Sequence, residues 1–430
     1  MRSLGRLVIM VFLGASCMAQ APIQPTFFGM HFNRINSLPV NVPIGSIRLW
    51  GTGTGWAHMC PDGPHCDFKR LDNWLAAAKS SGITDVVYTF GKVPAWISAN
   101  PPDKPHAAEW GVFPPKDLTA DGGGSDEAWK NFVKTLVDHN KNLDSRHSKI
   151  RYWGIWNEPS AGNFWKGIQA QLVRMAKDAY PIIKAADPGA LVLSPELAGI
   201  GRLHDDWFDD YIAAGGAPYM DVIAFHGYAS AVAGAGDLHD APDHPHPVPE
   251  EVLKAVNHFK EKVSHHPELA GKPLWNSECS WGRTDEANWK DWEQGVAYIF
   301  RFYLLQASAG VERVYWYMFD PNDIHACCGA MANTDRSELP TAAAYREMHK
   351  WLLGRSVTAC AAQGHVWTCN VDGPGFKGKA VWDDEYEKSA TYDATGFASY
   401  RDVLDASTPL SAKNHMVTIG NKPVLLEAGK

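Results

Sequence analysis

The sequence lacks the features that tie a protein to nucleic acid or to a membrane. It has no long basic run, and its 40 Lys and Arg against 48 Asp and Glu give a formal net charge of −8. Such a balance offers no attraction to nucleic acid or to anionic lipid surfaces. No apolar run is long enough to span a bilayer. We therefore expect no nucleic-acid partner and no membrane span.

Motifs of several enzyme classes are also missing. No Gly-rich dinucleotide loop follows the first predicted strand, the Gly-rich stretch 51–55 lacks the Lys-Ser/Thr pair of a phosphate loop, and no Gly-x-Ser-x-Gly elbow occurs. Residues 323–328 combine Asp, His and Cys without zinc-ligand spacing, and the histidines of 239–246 lie in a proline-rich loop. The sequence therefore predicts no cofactor and no metal site.

The N-terminus has the layout of an export signal. Two arginines precede the apolar run 7–13, and residues 19–21 form a small-x-small cleavage site. We expect residues 1–21 to be a signal peptide and the protein to be secreted or periplasmic, with a lipoprotein anchor at Cys17 as the minor alternative. Cysteines of an exported protein can oxidise. The predicted short-loop disulfides are Cys60–Cys66 and Cys360–Cys369; Cys327 and Cys328 are a vicinal bridge or two thiols, and Cys279 is left over.

Strand-like and helix-like segments alternate between about residue 25 and residue 354. Eight such units predict a parallel sheet closed into a (β/α)8 TIM barrel over 22–354, with a doubly wound open sheet as the alternative. From 355 to 430, short strands separated by turn residues predict a small C-terminal β-sandwich as an accessory domain. The predicted barrel strands are 27–32, 45–50, 85–90, the run before Glu158, 190–194, 220–226, the run before Glu278, and 311–318.

Two short stretches 120 residues apart resemble each other. The first, 151–158, is an aromatic run that ends in Glu158, and the ring of Pro159 stops regular strand pairing there. The second, 273–278, is an apolar strand that ends in Glu278 among tryptophans. Both glutamates should therefore lie at the C-terminal tips of strands four and seven, on the face where barrel active sites form.

Two glutamates on that face fit catalysis at the anomeric carbon of a sugar. A retaining glycosidase needs one carboxyl with a raised pKa and a second that stays ionised, ~5–5.5 Å apart. An apolar wall raises a carboxyl pKa, whereas a nearby cation lowers it. Glu158, flanked by Trp153 and Trp156, suits the acid, and Glu278 suits the nucleophile with Arg48 as the cation. For either glutamate alone, a structural cap or an arginine partner is the alternative.

The stretch Trp156-Asn157-Glu158-Pro159 resembles the acid/base signature of clan A glycoside hydrolases, which are (β/α)8 enzymes with glutamates on strands four and seven. The resemblance implies that Asn157 hydrogen-bonds the sugar 2-hydroxyl and that Glu278 is the nucleophile. The clan also places an Arg near the end of strand two, a His/Tyr pair after strand six and a Trp at the end of strand eight. The residues that match these positions are Arg48, His226, Tyr228 and Trp316.

Within the clan, the opening 28–32, the loop 91–96 and the trailing β-domain most resemble glycoside hydrolase family 39. That family includes β-xylosidases, α-L-iduronidases and polysaccharide-cleaving endo-enzymes. Glu196, after the fifth strand, is the rival carboxylate. The other candidate sugar contacts, each with core packing as its alternative, are His31, Trp50, Trp96 and Trp281.

Taken together, these features predict a secreted retaining glycoside hydrolase that cleaves β-linked glycosides or polysaccharides with two glutamates. The alternatives are a catalytically silent carbohydrate-binding protein and a transglycosylase that uses the same residues. The sequence leaves open the sugar, the choice between exo and endo action, and the oligomeric state.

Overall fold

The structure is a computed structural model that describes residues 21–101, 111–228, 249–281, 292–321, 329–404, 406–411 and 414–429. Several sequence predictions lie outside the described residues. These are the signal peptide with Cys17, the Cys327–Cys328 pair, and the histidines of 239–246.

Eight parallel strands form one sheet in the order β5-β4-β3-β2-β1-β8-β7-β6. Parallel bridges between Leu193 and Val222 and between Leu197 and Phe225 join its two ends. The predicted barrel is therefore confirmed, and the open-sheet alternative is wrong. The strands are β1 (Phe28–His31), β2 (Ser46–Leu49), β3 (Asp85–Thr89), β4 (Ile150–Gly154), β5 (Leu191–Leu193), β6 (Ile223–His226), β7 (Leu274–Cys279) and β8 (Arg313–Trp316).

Helices follow the strands, and their apolar faces are buried. The helical spacing of Trp129, Phe132, Val133, Leu136 and Val137 predicted one such face, and all five are buried. Within the described part of the chain, no helix is long and apolar enough to cross a membrane. The helices are α1 (Trp56–Met59), α2 (Lys69–Ser80), α3 (Glu127–Asn142), α4 (Gln169–Ala186), α5 (Arg202–Ala213), α6 (Pro249–Ser264), α7 (Trp292–Ser308) and α8 (Pro340–Leu352).

Two of these helices were not expected from the sequence. The first, α1, is a single turn, too short to show a period of 3.6 residues. The second, α5, carries Asp at four of its twelve positions, and aspartate is a weak helix former. Packing against the barrel overrides that low propensity, since Phe208 and Tyr211 are buried.

Side chains fill the inside of the barrel, so it is not a pore. Val87, Leu193, Val222, Trp275 and Tyr315 are all fully buried in one cluster. Because strand side chains alternate between faces, the neighbours of these residues point outward to the helices. This alternation decides which residue beyond each strand faces the mouth of the barrel.

An antiparallel domain follows α8. Six of its strands pair in the order β14-β13-β16-β11-β10-β9, and β12 pairs with β15. The predicted C-terminal β-sandwich is therefore confirmed. The strands are β9 (Ser356–Gln363), β10 (Val366–Gly373), β11 (Phe376–Asp383), β12 (Ser389–Asp393), β13 (Ser399–Arg401), β14 (Ser407–Pro409), β15 (Met416–Gly420) and β16 (Val424–Glu427).

The two predicted short-loop disulfides are both formed. Cys60 is bonded to Cys66, six residues on, and Cys360 to Cys369, nine residues on. Cys279 is a free, buried thiol whose Sγ–H donates to the Tyr315 carbonyl at 3.4 Å.

A buried ion pair ties the β-domain to the barrel. Arg301 on α7 donates to the Glu250 carboxylate on α6, with Nε 2.8 Å from Oε1. The indole N–H of Trp382, on β11, donates to the same Oε1 at 2.8 Å. All three side chains are buried. A buried carboxylate is tolerated because it is paired and hydrogen-bonded.

We predict that Arg301→Met lowers the free energy of unfolding by about 3–5 kcal/mol, because it leaves Glu250 buried without a cation. Urea unfolding measures the change. The double variant Arg301→Met/Glu250→Gln should recover part of the loss. The matched control is Lys134→Met, which breaks an exposed pair with Asp138 and should change the stability little. Equal losses in the free energy of unfolding for Arg301→Met and Lys134→Met would contradict the stabilising role of the buried pair.

Candidate active site

Polar side chains converge at the C-terminal ends of the barrel strands. Three come from beyond the ends of β4 and β5, and the others lie in the last two positions of β1, β2, β3, β6 and β7 or just beyond them. Most are fully buried, which is unusual for charged groups and calls for mutual pairing. The set comprises His31, Arg48, Thr89, Asn157, Glu158, Glu196, His226, Tyr228 and Glu278.

Arg48 is the centre of this set. It is 1% exposed, and its Nη1 donates to Glu278 Oε2 at 2.8 Å. Its Nη2 donates to Asn157 Oδ1 at 2.8 Å and also to the Glu196 carboxylate. Its Nε donates to Thr89 Oγ1 at 2.9 Å. The planar guanidinium therefore fixes side chains from β3, β7 and the segments beyond β4 and β5 in one geometry.

Glu158 lies four residues beyond β4, not at the tip of the strand as the sequence suggested. The strand ends at Gly154, and Glu158 has a φ of 47°, in the left-handed region that glutamate rarely adopts. Its backbone N–H donates to the Glu196 carbonyl at 2.8 Å. That bond holds the turn, so the Glu158 side chain is aimed at the barrel mouth.

Glu278 is held ionised. Burial alone would raise its pKa, but the positive charges of His226 and Arg48 lower the pKa to about 2. The Tyr228 hydroxyl donates to Glu278 Oε1 at 2.7 Å. A carboxylate that is ionised and fixed in place can act as a nucleophile.

Glu158 has the opposite electrostatics. Burial raises the pKa of its carboxyl above the ordinary value, and the hydrogen bond from His226 only partly offsets this. His226 Nδ1 lies 2.7 Å from Glu158 Oε1. Burial lowers the pKa of His226, but the Glu278 charge and the bond to Glu158 raise it to about 9. The imidazolium therefore donates to Glu158, and of the two carboxyls Glu158 is the one whose neutral form burial favours.

The two carboxyl groups are close together. One oxygen of Glu158, one oxygen of Glu278 and one ring nitrogen of His226 all lie within 4.8 Å of one another. This spacing could also accept a metal ion. Arg48 and Tyr228 already donate to Glu278, and His226 already donates to Glu158, so positive charge and donors are supplied by the chain itself. We interpret the pair as catalytic carboxyls.

Two buried nitrogen atoms in the site have no hydrogen-bond partner among the described residues. These are His31 Nδ1 and Asn157 Nδ2. Burial and the charge of Arg48 lower the pKa of His31 to about 3, so the ring is neutral. An unpaired buried polar atom costs free energy unless a ligand satisfies it. Both atoms are buried in this structure, so the sugar contacts that the sequence assigned to these two residues stay a prediction.

Trp316 does not face the site, so its prediction as a sugar platform is corrected. It is fully buried, its indole N–H donates to the Gly329 carbonyl at 2.7 Å, and its ring packs 5.3 Å from Trp281 and 5.8 Å from Phe302. The physical reason is the strand alternation: Tyr315 points into the barrel, so Trp316 points outward to α7.

Tyr317 takes the place expected for Trp316. Its ring centroid lies 5.2 Å from His31 and 6.4 Å from Tyr228, and it is only partly buried. Burial, together with the negative charge of Glu278, raises the pKa of Tyr317 above the ordinary value. Tyr317 is thus the aromatic side chain that β8 presents to the two carboxyls.

The other tryptophans predicted to contact sugar differ in how deeply they are buried. Trp281 is fully buried, 5.7 Å from Tyr298, so its prediction as a subsite wall is also corrected. Trp96 is partly buried, and its indole N–H donates to the Cys60 carbonyl at 2.9 Å. Trp50 is partly exposed at the end of β2, with its ring 6.2 Å from Phe164.

The indoles expected to wall Glu158 belong to the hydrophobic core. Trp153 stacks 5.7 Å from Phe90, and Trp156 packs 4.9 Å from Trp165. Both are buried. The raised pKa of Glu158 therefore comes from burial in the barrel mouth and not from an exposed indole wall.

Three residues of the site were missed or undervalued from sequence. Thr89 is a polar residue at the end of β3, and Glu196 follows β5 just as Glu158 follows β4. Counting alternate residues from Tyr315 would have found Tyr317. The sequence pattern that could have identified them is a polar or aromatic residue at or just past the end of a strand, at a position whose side chain points into the barrel.

Comparisons with known proteins agree on this architecture. A family 39 glycoside hydrolase from Bacteroides cellulosilyticus superposes with a TM-score of 0.66 at 17% identity, covering 94% of this chain and 81% of that one. A β-xylosidase from Caulobacter crescentus gives 0.61 at 15% identity, covering 95% and 97%. A family 30 endoxylanase from Clostridium papyrosolvens gives 0.60 at 14% identity, covering 96% and 98%. This chain has the fold of these glycoside hydrolases.

Sequence comparison reaches less of the chain. A β-xylosidase from Geobacillus stearothermophilus is 27% identical over 126 residues, which are 28% of this chain and 22% of that protein. No protein-family model matches. The predicted resemblance to clan A and family 39 is thus confirmed in the fold of nearly the whole chain, a fold that family 30 enzymes share, and in sequence over a limited segment.

We predict that Tyr317→Ala lowers kcat/KM about tenfold, because the ring no longer stacks on the bound sugar. This corresponds to about 1.4 kcal/mol, and the melting temperature should change little. Trp316→Ala should instead lower the melting temperature, because it opens a cavity in the core. Steady-state kinetics and thermal unfolding of both variants separate the roles. Loss of activity without loss of stability in Trp316→Ala would restore the original assignment.

The opposed pKa shifts predict a bell-shaped pH profile of kcat/KM. Activity needs Glu278 ionised and Glu158 protonated, so it falls on the acid side only near the low pKa of Glu278 and on the alkaline side as Glu158 loses its proton. Tyr228→Phe removes a donor to Glu278 and should move the acid limb up by ~1 unit. An acid limb that stays in place in this variant would contradict the role of Tyr228.

Proposed function

We propose that this protein is a retaining glycoside hydrolase that cleaves β-linked glycosides or polysaccharides by double displacement. The observation that carries the proposal is the approach of a carboxyl oxygen of Glu158 to one of Glu278 within 4.8 Å. Retaining enzymes hold their carboxyls ~5–5.5 Å apart, whereas inverting enzymes leave ~6.5–9.5 Å for a water. The opposite pKa shifts of the two groups give each one its role.

In the first step, Glu278 attacks the anomeric carbon while Glu158 gives its proton to the glycosidic oxygen. The bond from the anomeric carbon to that oxygen breaks, and an ester to Glu278 forms through an oxocarbenium-like transition state. Arg48 and Tyr228 hold the attacking carboxylate in place. The aglycone leaves as a neutral alcohol.

In the second step, ionised Glu158 takes a proton from a water that attacks the anomeric carbon. The ester bond breaks, Glu278 is released as a carboxylate, and Glu158 is again protonated. The two inversions give net retention of the β configuration. His226 stays within hydrogen-bond distance of Glu158 and stabilises its ionised form during this half of the cycle.

The nature of the sugar is proposed from the neighbours' names. Two of the proteins similar to this chain in structure or sequence are β-xylosidases and a third is an endoxylanase, which makes β-xylosides and xylan the first substrates to test. We also propose that the protein is exported to the periplasm or outside the cell, since its N-terminal pattern and its two disulfides suit an oxidising compartment.

The test is a hydrolysis screen with purified protein on aryl β-xylosides, aryl β-glucosides, xylans, β-glucans and bacterial exopolysaccharides. Wild type should release sugar from at least one. Glu278→Gln should lose activity on every substrate. Glu158→Gln should lose about 10²–10⁴-fold in hydrolysis rate on substrates with poor leaving groups. The loss should be much smaller on dinitrophenyl glycosides, because dinitrophenolate leaves without being protonated.

The matched control is Glu312→Gln, a glutamate that is exposed before the start of β8 and should keep wild-type rates. Binding of a polymer without cleavage would favour the silent carbohydrate-binding protein instead. Transfer of sugar to an acceptor in preference to water would favour the transglycosylase. Full activity in Glu278→Gln would refute the assignment of the nucleophile.

A further inference from the structure

The barrel mouth contains a third carboxylate that the two displacement steps do not use. Glu196 follows β5 and is 0% exposed, so it cannot touch a sugar. An ionised carboxylate buried in a barrel is costly unless it is paired and hydrogen-bonded. Its contacts therefore indicate what it does.

The Glu196 carboxylate contacts both Arg48, the partner of Glu278, and His226, the partner of Glu158. Oε1 accepts from the Thr89 hydroxyl at 2.9 Å, and Oε2 accepts from Arg48 Nη2. Oε2 also lies 3.6 Å from His226 Nε2. Arg48 is the cation bonded to Glu278, and His226 is the donor to Glu158. Glu196 is thus the common neighbour of the groups that control the two catalytic carboxyls.

The backbone of Glu196 also fixes Glu158. Its N–H donates to the Trp156 carbonyl at 2.8 Å, and its carbonyl accepts from the Glu158 N–H at 2.8 Å. Gly154 provides the space for the side chain, since a Cβ at this position would collide with Glu196 Oε1. The end of β4 is therefore shaped around this carboxylate.

The charges around Glu196 balance. Burial would raise its pKa, but Arg48 and His226 lower it below the ordinary value, so Glu196 and Glu278 are the two anions opposite two cations. Neutral His31 adds no charge, and burial favours the neutral form of Glu158. The titratable or charged groups that face this cluster from the surrounding strands and from α5 are His31, Arg48, Glu158, His204, His226, Tyr228, Glu278 and Tyr317.

We propose that Glu196 is a positioning residue of the hydrolytic site, which holds Arg48 against Glu278 and keeps His226 as a charged donor to Glu158. The inference rests on the proposed function, because it concerns the two carboxyls that carry out the hydrolysis. With Glu196 ionised, His226 Nε2 faces an anion and keeps its proton. Without that anion, Nε2 can lose its proton and accept from Arg48 Nη2, 3.4 Å away.

Glu196→Gln tests this role because it keeps the shape of the side chain and removes the charge. The proton affinity of the Glu158–His226 pair falls when a nearby negative charge is lost. The alkaline limb of kcat/KM should therefore move down by ~1 unit, and kcat should fall by about tenfold or more. If Glu196 had only a structural role, Glu196→Gln would lower the stability of the protein and leave the alkaline limb of kcat/KM in place.

Two further variants serve as controls. Thr89→Val removes the hydroxyl that bonds both Arg48 and Glu196 but leaves the charge of Glu196 in place. The rate should therefore fall, while the alkaline limb should stay near that of wild type. Glu196→Asp keeps the charge but shortens the side chain, so kcat should fall with a smaller shift of the limb than in Glu196→Gln. If Glu196→Gln does not fold, the comparison of Glu196→Asp with Thr89→Val decides the proposal.

Nitrogen NMR of the histidine rings, with His226→Gln used to assign the signal, supplies a readout that does not depend on hydrolysis. Wild-type His226 should titrate near its raised pKa of about 9, and Glu196→Gln should lower that value. An unchanged His226 titration and an unshifted limb would overturn the proposal. If wild type hydrolyses nothing, the proposed function fails, and the His226 titration alone still decides whether Glu196 keeps that ring charged.

Discussion

The site depends on one buried guanidinium. Arg48 is surrounded by oxygen atoms from four strands or the segments after them. Its guanidinium contacts both Glu196 and Glu278. Burying a cation is costly, so its partners must be fixed and ionised to compensate. Glu278 is consequently held as an anion, and the amide of Asn157 is oriented with its nitrogen free. The geometry of the catalytic pair follows from satisfying this single charge.

Two carboxyls of the same chemical type then acquire different roles from their neighbours. Glu278 faces a cation and a hydroxyl donor, whereas Glu158 faces one imidazolium in a site where burial is the larger effect. The left-handed φ of Glu158 and the backbone hydrogen bond to Glu196 hold the two carboxyls close together. His226 Nδ1 lies 2.7 Å from Glu158 Oε1 and 3.9 Å from Glu278 Oε2, whereas Arg48 is bonded to Glu278. The cations Arg48 and His226 offset the charges of Glu196 and Glu278, which explains how so many titratable groups are tolerated in a buried site.

Much of this could be predicted from the sequence, and the misses have physical causes. Alternating strand and helix patterns define the barrel, and the matching ends at Glu158 and Glu278 locate the catalytic face. The inward or outward direction of a side chain depends on strand register, so Trp316 was chosen where Tyr317 faces the site. The importance of Glu196 could not be read from its position, because it arises from contacts with Arg48 and His226, which are distant in sequence. Indoles near Glu158 in the chain pack in the core, since proximity in sequence does not fix direction.

The most direct test of the account is to trap the covalent intermediate. An activated 2-deoxy-2-fluoro glycoside of the sugar that the protein hydrolyses slows the second displacement, and intact mass followed by peptide mapping locates the attached sugar. The account predicts one sugar per chain, esterified to Glu278, and no label in Glu278→Gln. A label on Glu158 or Glu196, or turnover that inverts the anomeric configuration without any label, would contradict it.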